Sequence, residues 1–370
     1  MALVTDDIPL VDQHCHGVLT KALGAAELSS YLTEAPEVPH HRDPFNSLLG
    51  LGVRRWCAPI LDLPSLAGRD VYLRRRVELG WREVTERLLR AANVTEWLVD
   101  TGFTPPQPLT GPEVFSDGAG HEVVRIEHVA ETLAAQGKFS LNGFRATLHE
   151  RAANAVGLKT IVGYRSGLAV PSLPPTSTAA RVAAERWLRR GGRVEEPDLL
   201  SWLVHEGARV AAELSLPLQV HAGFGDPDLR LRDVDPALLH DFVEAYPNVM
   251  IVLLHCWPYH RNAAYLAHVF PNVVVDVGLM VPFVGARAGD VLGEVLELAP
   301  FDAVVWSSDG RQLPETHYLA AALWRHHFGR LLDTWINEDV LTVADAERLA
   351  FAVGSGNAGR IYRLGGGRDE

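Results

Sequence analysis

The sequence predicts an α/β protein whose core is a parallel eight-stranded (β/α)8 TIM barrel, and three observations predict it. Eight short apolar runs alternate along the 370 residues with amphipathic stretches of helical period, the signature of repeated βα units. Several runs, such as NVMIVLLHC and NVVVDVG, are nearly continuous in Val, Ile and Leu, as strands buried on both faces must be. No Gly-rich phosphate turn follows the first run, which disfavours a doubly wound open sheet. Residues 1–370 are accordingly read as a single barrel domain.

Taken in order, the first strand is IPLVDQH. Residues 20–94 follow, with three helix-like segments, and exceed what a plain barrel connection needs. Strand two is EWLVDTG (96–102) and strand three EVVRIE (122–127). Helical periodicity then fills IEHVAETLAAQ (126–136) and FRATLHERAANAV (144–156). Strand four is LKTIVGY (158–164). The Pro- and Ser-rich VPSLPPTSTAA leads into the helix-like AARVAAERWLRR, making 170–195 a second excess segment. Strand five is LPLQVHAG (216–223), then a helix over 237–246, strand six NVMIVLLHC (248–256), and a helix over 261–270. Strand seven is NVVVDVG (272–278), strand eight DAVVWSSDG (302–310), and a long helix covers 315–333. Both excess segments are placed as insertions at the barrel's C-terminal face. There both could form a lid over the site, with an ordinary surface linker as the alternative for the Pro-rich piece.

Charge and cysteine usage bound the function. Lys and Arg number 34 against 46 Asp and Glu, a net −12. The one basic run, Arg74 to Arg76, is flanked by Asp70, Glu78 and Glu83 and reads as a solvated helix face, so nucleic acid is not an expected partner. No apolar stretch has the length of a membrane span, and MALVTDDIPL lacks a signal pattern, which excludes a membrane. Cys15, Cys57 and Cys256 form no CxxC pair and read as reduced thiols of a cytoplasmic protein. A small-molecule substrate is the expected partner, and a homo-oligomer is compatible with the sequence.

The chemistry gathers at strand ends. In VDQHCHG, His14 and His16 stand one residue apart after an apolar run. Side chains at i and i+2 of a strand share a face, so two imidazoles converge there as half of a metal site. Strand five ends at His221, strand six at His255 and strand eight at Asp309. One histidine at a strand end is commonly a hydrogen-bonded structural residue. Four histidines and an aspartate on the catalytic face of one barrel are not readily chance.

This set resembles the amidohydrolase superfamily of metal-dependent barrels, whose signature is HxH on strand one, His on strands five and six, and Asp on strand eight. More narrowly, YRSGL, LPLQVHAGFGDPDLRL, LLHCWPYHRNAAYLA, PNVVVDVGL, SSDGRQLPETHYLA and GNAGRIY are similar to the nodulin/FluG-type amidohydrolases. The resemblance implies a metal-dependent hydrolase of C–N bonds other than peptide bonds. It hints at a γ-glutamyl amide or a similar small carboxylate-bearing substrate. Decarboxylases and isomerases share the scaffold, so they stay open, as does a non-catalytic regulatory protein.

On that resemblance His14, His16 and His221 would give neutral nitrogens, and Asp309 an oxygen, to a divalent metal. Zinc suits this set, with manganese or iron also compatible. Asp309 could then move the proton of the attacking water. His255 would be a ligand in a two-metal site, or orient water and the oxyanion in a one-metal site. Two-metal members use a carboxylated lysine at the end of strand four. Lys159 lies five residues before Tyr164, about 16 Å below that apparent end at ~3.3 Å per residue. This depth favours one metal, unless strand four stops near Ile161. Arg165 could grip a carboxylate bidentately, or form a loop salt bridge. Trp257 and Tyr259, with His260, could wall the pocket or simply pack the loop. Asp100 and Glu127 could orient a ligating histidine or cap structure. Gly223 and Gly225 read as turn residues, Glu315 as a first-turn helix acid, and His326–His327 as helix neighbours facing apart.

Overall fold

The structure is a computed structural model that describes residues 3–365; of the terminal GGGRDE only Gly365 falls within them. Seven strands form one parallel sheet in chain order. They are β1 (Leu10–Cys15), β2 (Val94–Asp100), β3 (Ala119–Arg125), β4 (Gly157–Thr160), β5 (Leu218–Ala222), β6 (Ile251–His255) and β7 (Val273–Val275). Their faces are apolar on both sides. Val124, Leu158, Val220, Leu253 and Val275 belong to the large cluster shared with the helices. Val11, Leu98, Val123, Val252, Leu254, Val274 and Val305 form a separate cluster with Tyr362. This double burial is why continuous Val and Leu runs make the strands.

The expected eighth strand lacks a ladder. Residues 301–303 form a 3-10 turn, and beyond them a single parallel bridge joins Val304 to Val275. The extended stretch 304–310 still closes the barrel. Val305 N donates to the Val275 carbonyl (3.1 Å), Gln13 N to Trp306 O (3.4 Å) and Asp309 N to His14 O (3.0 Å). From below, Asn357 donates its amide to Phe301 O and Val304 O, both at 2.8 Å. Tyr362 donates to Gln13 Oε1 (2.7 Å) on the barrel floor. GNAGRIY thus acts as a plug.

Two strand ends differ from expectation. β4 stops at Thr160, and Val162–Arg165 is one helical turn. The reason is polar. Glu127 Oε1 accepts from both Thr160 Oγ1 (2.5 Å) and Ile161 N (3.1 Å), and Thr160 Oγ1 takes Val162 N (3.1 Å). These acceptors replace the ladder and turn the chain out. β3 likewise ends at Arg125, so Glu127 sits in the first turn of the helix Ile126–Ala135 rather than closing a strand.

The segment 20–94 is helical, with Arg69–Leu79 and Trp81–Ala91 as its longest helices. It buries Leu28, Phe45, Tyr72 and Leu88 against Leu313, Leu319 and Leu323 at the start of the long helix Pro314–Asn337. Arg76 is not a solvated residue: it is 7% exposed and forks onto the fully buried Glu315 at 2.5 and 3.1 Å. Tyr72 donates to the same carboxylate at 2.8 Å. Glu315 is therefore the anchor of the insertion as well as a first-turn acid. The second excess segment is a helix, Ser177–Arg190, capped by Thr176. Its Trp187 packs edge-on against Phe139 in the outer layer (5.1 Å). From this segment Arg193 reaches the barrel mouth.

Candidate metal centre

The C-terminal ends of β1, β4, β5 and β6 and the 304–310 stretch open into a cavity of about 210 Å³. His14, His16, His221, His255, Asp309 and Lys159 all line it. His14 and His16 reach it although the pairing of β1 with β2 slips between Asp12 and Cys15. Their rings meet edge-on at 5.0 Å. Asp309 Oδ1 lies 3.1 Å from His14 Nε2, 3.4 Å from His16 Nε2 and 4.0 Å from His255 Nε2. The rings of His221 and His255 are 4.5 Å apart, and Tyr164 covers His221 at the same distance. Backbone geometry aims two of these groups. His255 has φ 69° and Asp309 φ 45°, left-handed values that a non-glycine residue holds only where its surroundings impose them.

Burial decides the charge states. It pushes His14 down to about 4 and holds His221 and His255 well below the usual imidazole range. These rings are neutral, with lone pairs available. Burial alone would raise Asp309, but the hydrogen bonds from His14 and His16 hold it well below the ordinary carboxylate range. An ionised carboxylate among neutral imidazoles is a set of donors without its acceptor. His14 Nδ1, His221 Nε2 and His255 Nδ1 are buried with no hydrogen-bond partner, an arrangement that costs stability unless something fills it. A divalent cation fits. Two groupings have ligand atoms within 4.8 Å of one another, His14–His255–Asp309 and His14–His16–Asp100. His221 joins neither, although its free nitrogen lines the same cavity.

Lys159 needs correction. Because β4 ends at Thr160, Lys159 is one residue from the strand end, not 16 Å below it. It is fully buried, with Nζ 3.1 Å from His14 Nε2, and burial lowers it to about 8. The depth argument for a single metal therefore falls, and Lys159 lines the same cavity as the histidines.

Around this floor the other candidates sort clearly. Arg165 lines the cavity, its side chain 8% exposed, with one contact to Glu131 at 3.4 Å. Its Nε and Nη1 are buried and unpartnered. Trp257 and Tyr259 do not line the cavity. Trp257 faces Phe224 at 6.0 Å, and its carbonyl takes Phe224 N at 2.7 Å, so this is loop packing. Asp100 grips Arg125 (2.6 and 3.0 Å) and offers its main-chain carbonyl to His16 Nδ1 at 3.3 Å. Glu127 meets no histidine. Gly225 does serve close approach: a Cβ there would lie 2.1 Å from Tyr164 Oη.

Sequence reasoning missed Glu34, Phe103, Tyr164, Arg193 and Arg311 as lining residues. Arg311, two residues beyond Asp309, had a positional signal. Glu34 had none: it comes from the insertion and meets Arg311 at 2.6 Å.

The family model described as Amidohydrolase matches residues 118–364. Protein fluG of Emericella nidulans is 31% identical over 404 residues, covering 96% of this chain and 46% of that protein. The chain thus spans about half the length of that curated relative. A candidate metal-dependent hydrolase from Lactobacillus casei ATCC 334 has a similar structure. Its TM-score is 0.86 at 26% identity, over 98% of both chains. A uronate isomerase from Thermotoga maritima shares the fold, with a TM-score of 0.65 at 14% identity over 97% of this chain and 95% of that one.

Proposed function

Given that the chain belongs to the amidohydrolase family, we propose that it is a metal-dependent hydrolase of a C–N bond in a small, carboxylate-bearing substrate such as a γ-glutamyl amide. The observation that carries this reading is the buried group of unpartnered imidazole nitrogens around an ionised Asp309. His14, His16, His221 and Asp309 would hold one divalent cation, zinc in our reading, with manganese or iron as the other choices the N/O donors accept. Lys159 and His255 would join only in a two-metal centre. Such a cation supplies Lewis acidity and a water of lowered pKa.

Asp309 takes the proton from the attacking water and returns it to the departing nitrogen. His255, 4.0 Å from Asp309 and with Nδ1 free, orients that water or donates to the developing oxyanion. Arg165 brings two buried nitrogens without a partner, Nε and Nη1, as charged donors to a substrate carboxylate. No helix of the described residues is long and apolar enough to cross a membrane. The three cysteines are free and buried, which supports a cytoplasmic setting.

The test is Asp309→Asn on the metal-loaded protein, assayed against a panel of amides, aromatic carboxylates and uronates. Asn keeps one oxygen for the cation but is no base. Bound metal should therefore persist while amide turnover falls by roughly 10²-fold or more. Carbon dioxide release without amine, or turnover of uronates alone, would replace the hydrolase with a decarboxylase or an isomerase. A wild-type protein that binds no divalent metal would make the site non-catalytic.

A further inference from the structure

The last barrel segment carries Asp309, yet it is the one segment that no regular ladder holds: among the described residues it has a single bridge, Val275 to Val304. Scattered main-chain bonds and side chains hold it together. Asp12 of β1 is fully buried and accepts twice from Ser308, from its N at 2.8 Å and its Oγ at 2.5 Å. Ser308 Oγ in turn accepts from Gly310 N at 2.8 Å. On the other flank Asp276, also buried, accepts from Ser307 Oγ (2.8 Å) and Gly278 N (2.8 Å). Two consecutive serines are therefore tied to two carboxylates on either side of the segment. Asp309 is bracketed by Ser308 and Gly310, both ends of the same Oγ relay, while its own N reaches His14 O.

We propose that Asp12, acting through Ser308, is the positioning residue that holds Asp309 in its left-handed conformation against His14 and His16. An aspartate at φ 45° relaxes to an ordinary backbone conformation unless the residues beside it are pinned. Main-chain bonds fix Asp309 N on His14 O (3.0 Å) and Gly310 O on His16 N (2.8 Å), but among the described residues none holds residue 308, and there the doubly accepting Asp12 carboxylate and the Ser308 hydroxyl supply the pin. Asp12 does not line the cavity; besides Ser308 its carboxyl meets the main chain of His14, and its route to Asp309 is through Ser308. The proposal rests on the reading of Asp309 as a metal ligand and base, but it concerns where Asp309 stands, which is separately measurable.

The experiment uses the full chain, with crystal structures of Ser308→Ala and Asp12→Asn and zinc affinity measured by competition with a chromophoric chelator. Ser308→Ala removes the relay. The Asp309 carboxylate should leave His14, and zinc affinity should fall by roughly 10- to 100-fold, the scale for losing a residue that orients a ligand. Asp12→Asn keeps an acceptor for Ser308 N and should fall between Ser308→Ala and wild type, a graded rescue that general destabilisation would not produce. Asp309 found in place in both variants overturns the proposal, whatever the zinc affinity. Asp309 displaced with zinc affinity unchanged upholds the positioning role and instead removes Asp309 from the ligand set.

Discussion

Arg165 has two N–H groups enclosed with nothing to accept them, a cost that a ligand carboxylate would relieve. A charge-assisted bond of this kind contributes about 1.5–3 kcal/mol. Arg165→Met should therefore raise KM for carboxylate-bearing amides by roughly 10- to 150-fold by that energy, with kcat changed far less. Steady-state kinetics on matched acid and ester substrates would check it, and an equal KM for both in the wild type would remove Arg165 from substrate binding. At this scale the sequence was most legible where a residue ends an apolar run. His14, His16, His221, His255 and Asp309 were all found that way, and all line one cavity. Trp257 and Tyr259 were placed there by adjacency to His255. Adjacency fails in a loop, because the direction a loop side chain faces is set by packing, here Phe224 against Trp257.

Among the elements, the ends and not the middles carried the errors. β4 stops at Thr160 because Glu127, in hydrogen-bond contact with it but 33 residues away in sequence, offers a better acceptor than a continued ladder. That decided the depth of Lys159. The Pro-rich start of the second excess segment shows a similar long-range tie. His205, buried in the helix Pro197–Leu214, meets Pro171 O through Nε2 (3.0 Å) and Tyr246 Oη through Nδ1 (2.7 Å). Burial lowers it to about 4, below its unfolded value of ~6.5. The neutral ring is thus preferred in the fold. The stability it contributes is complete above pH ~6.5 and is lost as the pH falls toward 4, at most about 2 kcal/mol by pH 5. His205→Gln keeps a donor for Pro171 O but does not titrate. Its urea midpoint should accordingly drop less than that of the wild type between pH 7.5 and pH 5. Parallel drops would show that His205 is not the titrating group.

For the whole molecule, the cation is expected to act as a fastener between β1, β5 and the 304–310 stretch, whose candidate ligands meet at the mouth. Stripping it with a chelator should leave the helical signal intact, since the apolar clusters contain none of the candidate ligands. The melting temperature should nonetheless fall by several degrees, because saturation at ~1,000 Kd is worth about 4 kcal/mol, and zinc should restore it. Calorimetry with and without added zinc would measure this, and an unshifted transition would mean the cluster binds no metal tightly.

Seven of the barrel's strands, their order, and the histidines at the ends of β1, β5 and β6 were set by local pattern. Period-2 and period-3.6 burial is written residue by residue, and a strand end exposes whatever side chain stands there. What only the tertiary structure decided are the contacts between residues far apart in the chain. The insertion is docked by Arg76 on Glu315 and reaches the mouth through Glu34 on Arg311. Lys159 is lifted to His14 by where Glu127 ends β4. Asp309 is held where a strand is missing by Asp12 and Ser308. A buried charge or hydroxyl takes whichever partner the packed chain brings within 3 Å of it, and no spacing in the sequence records that distance.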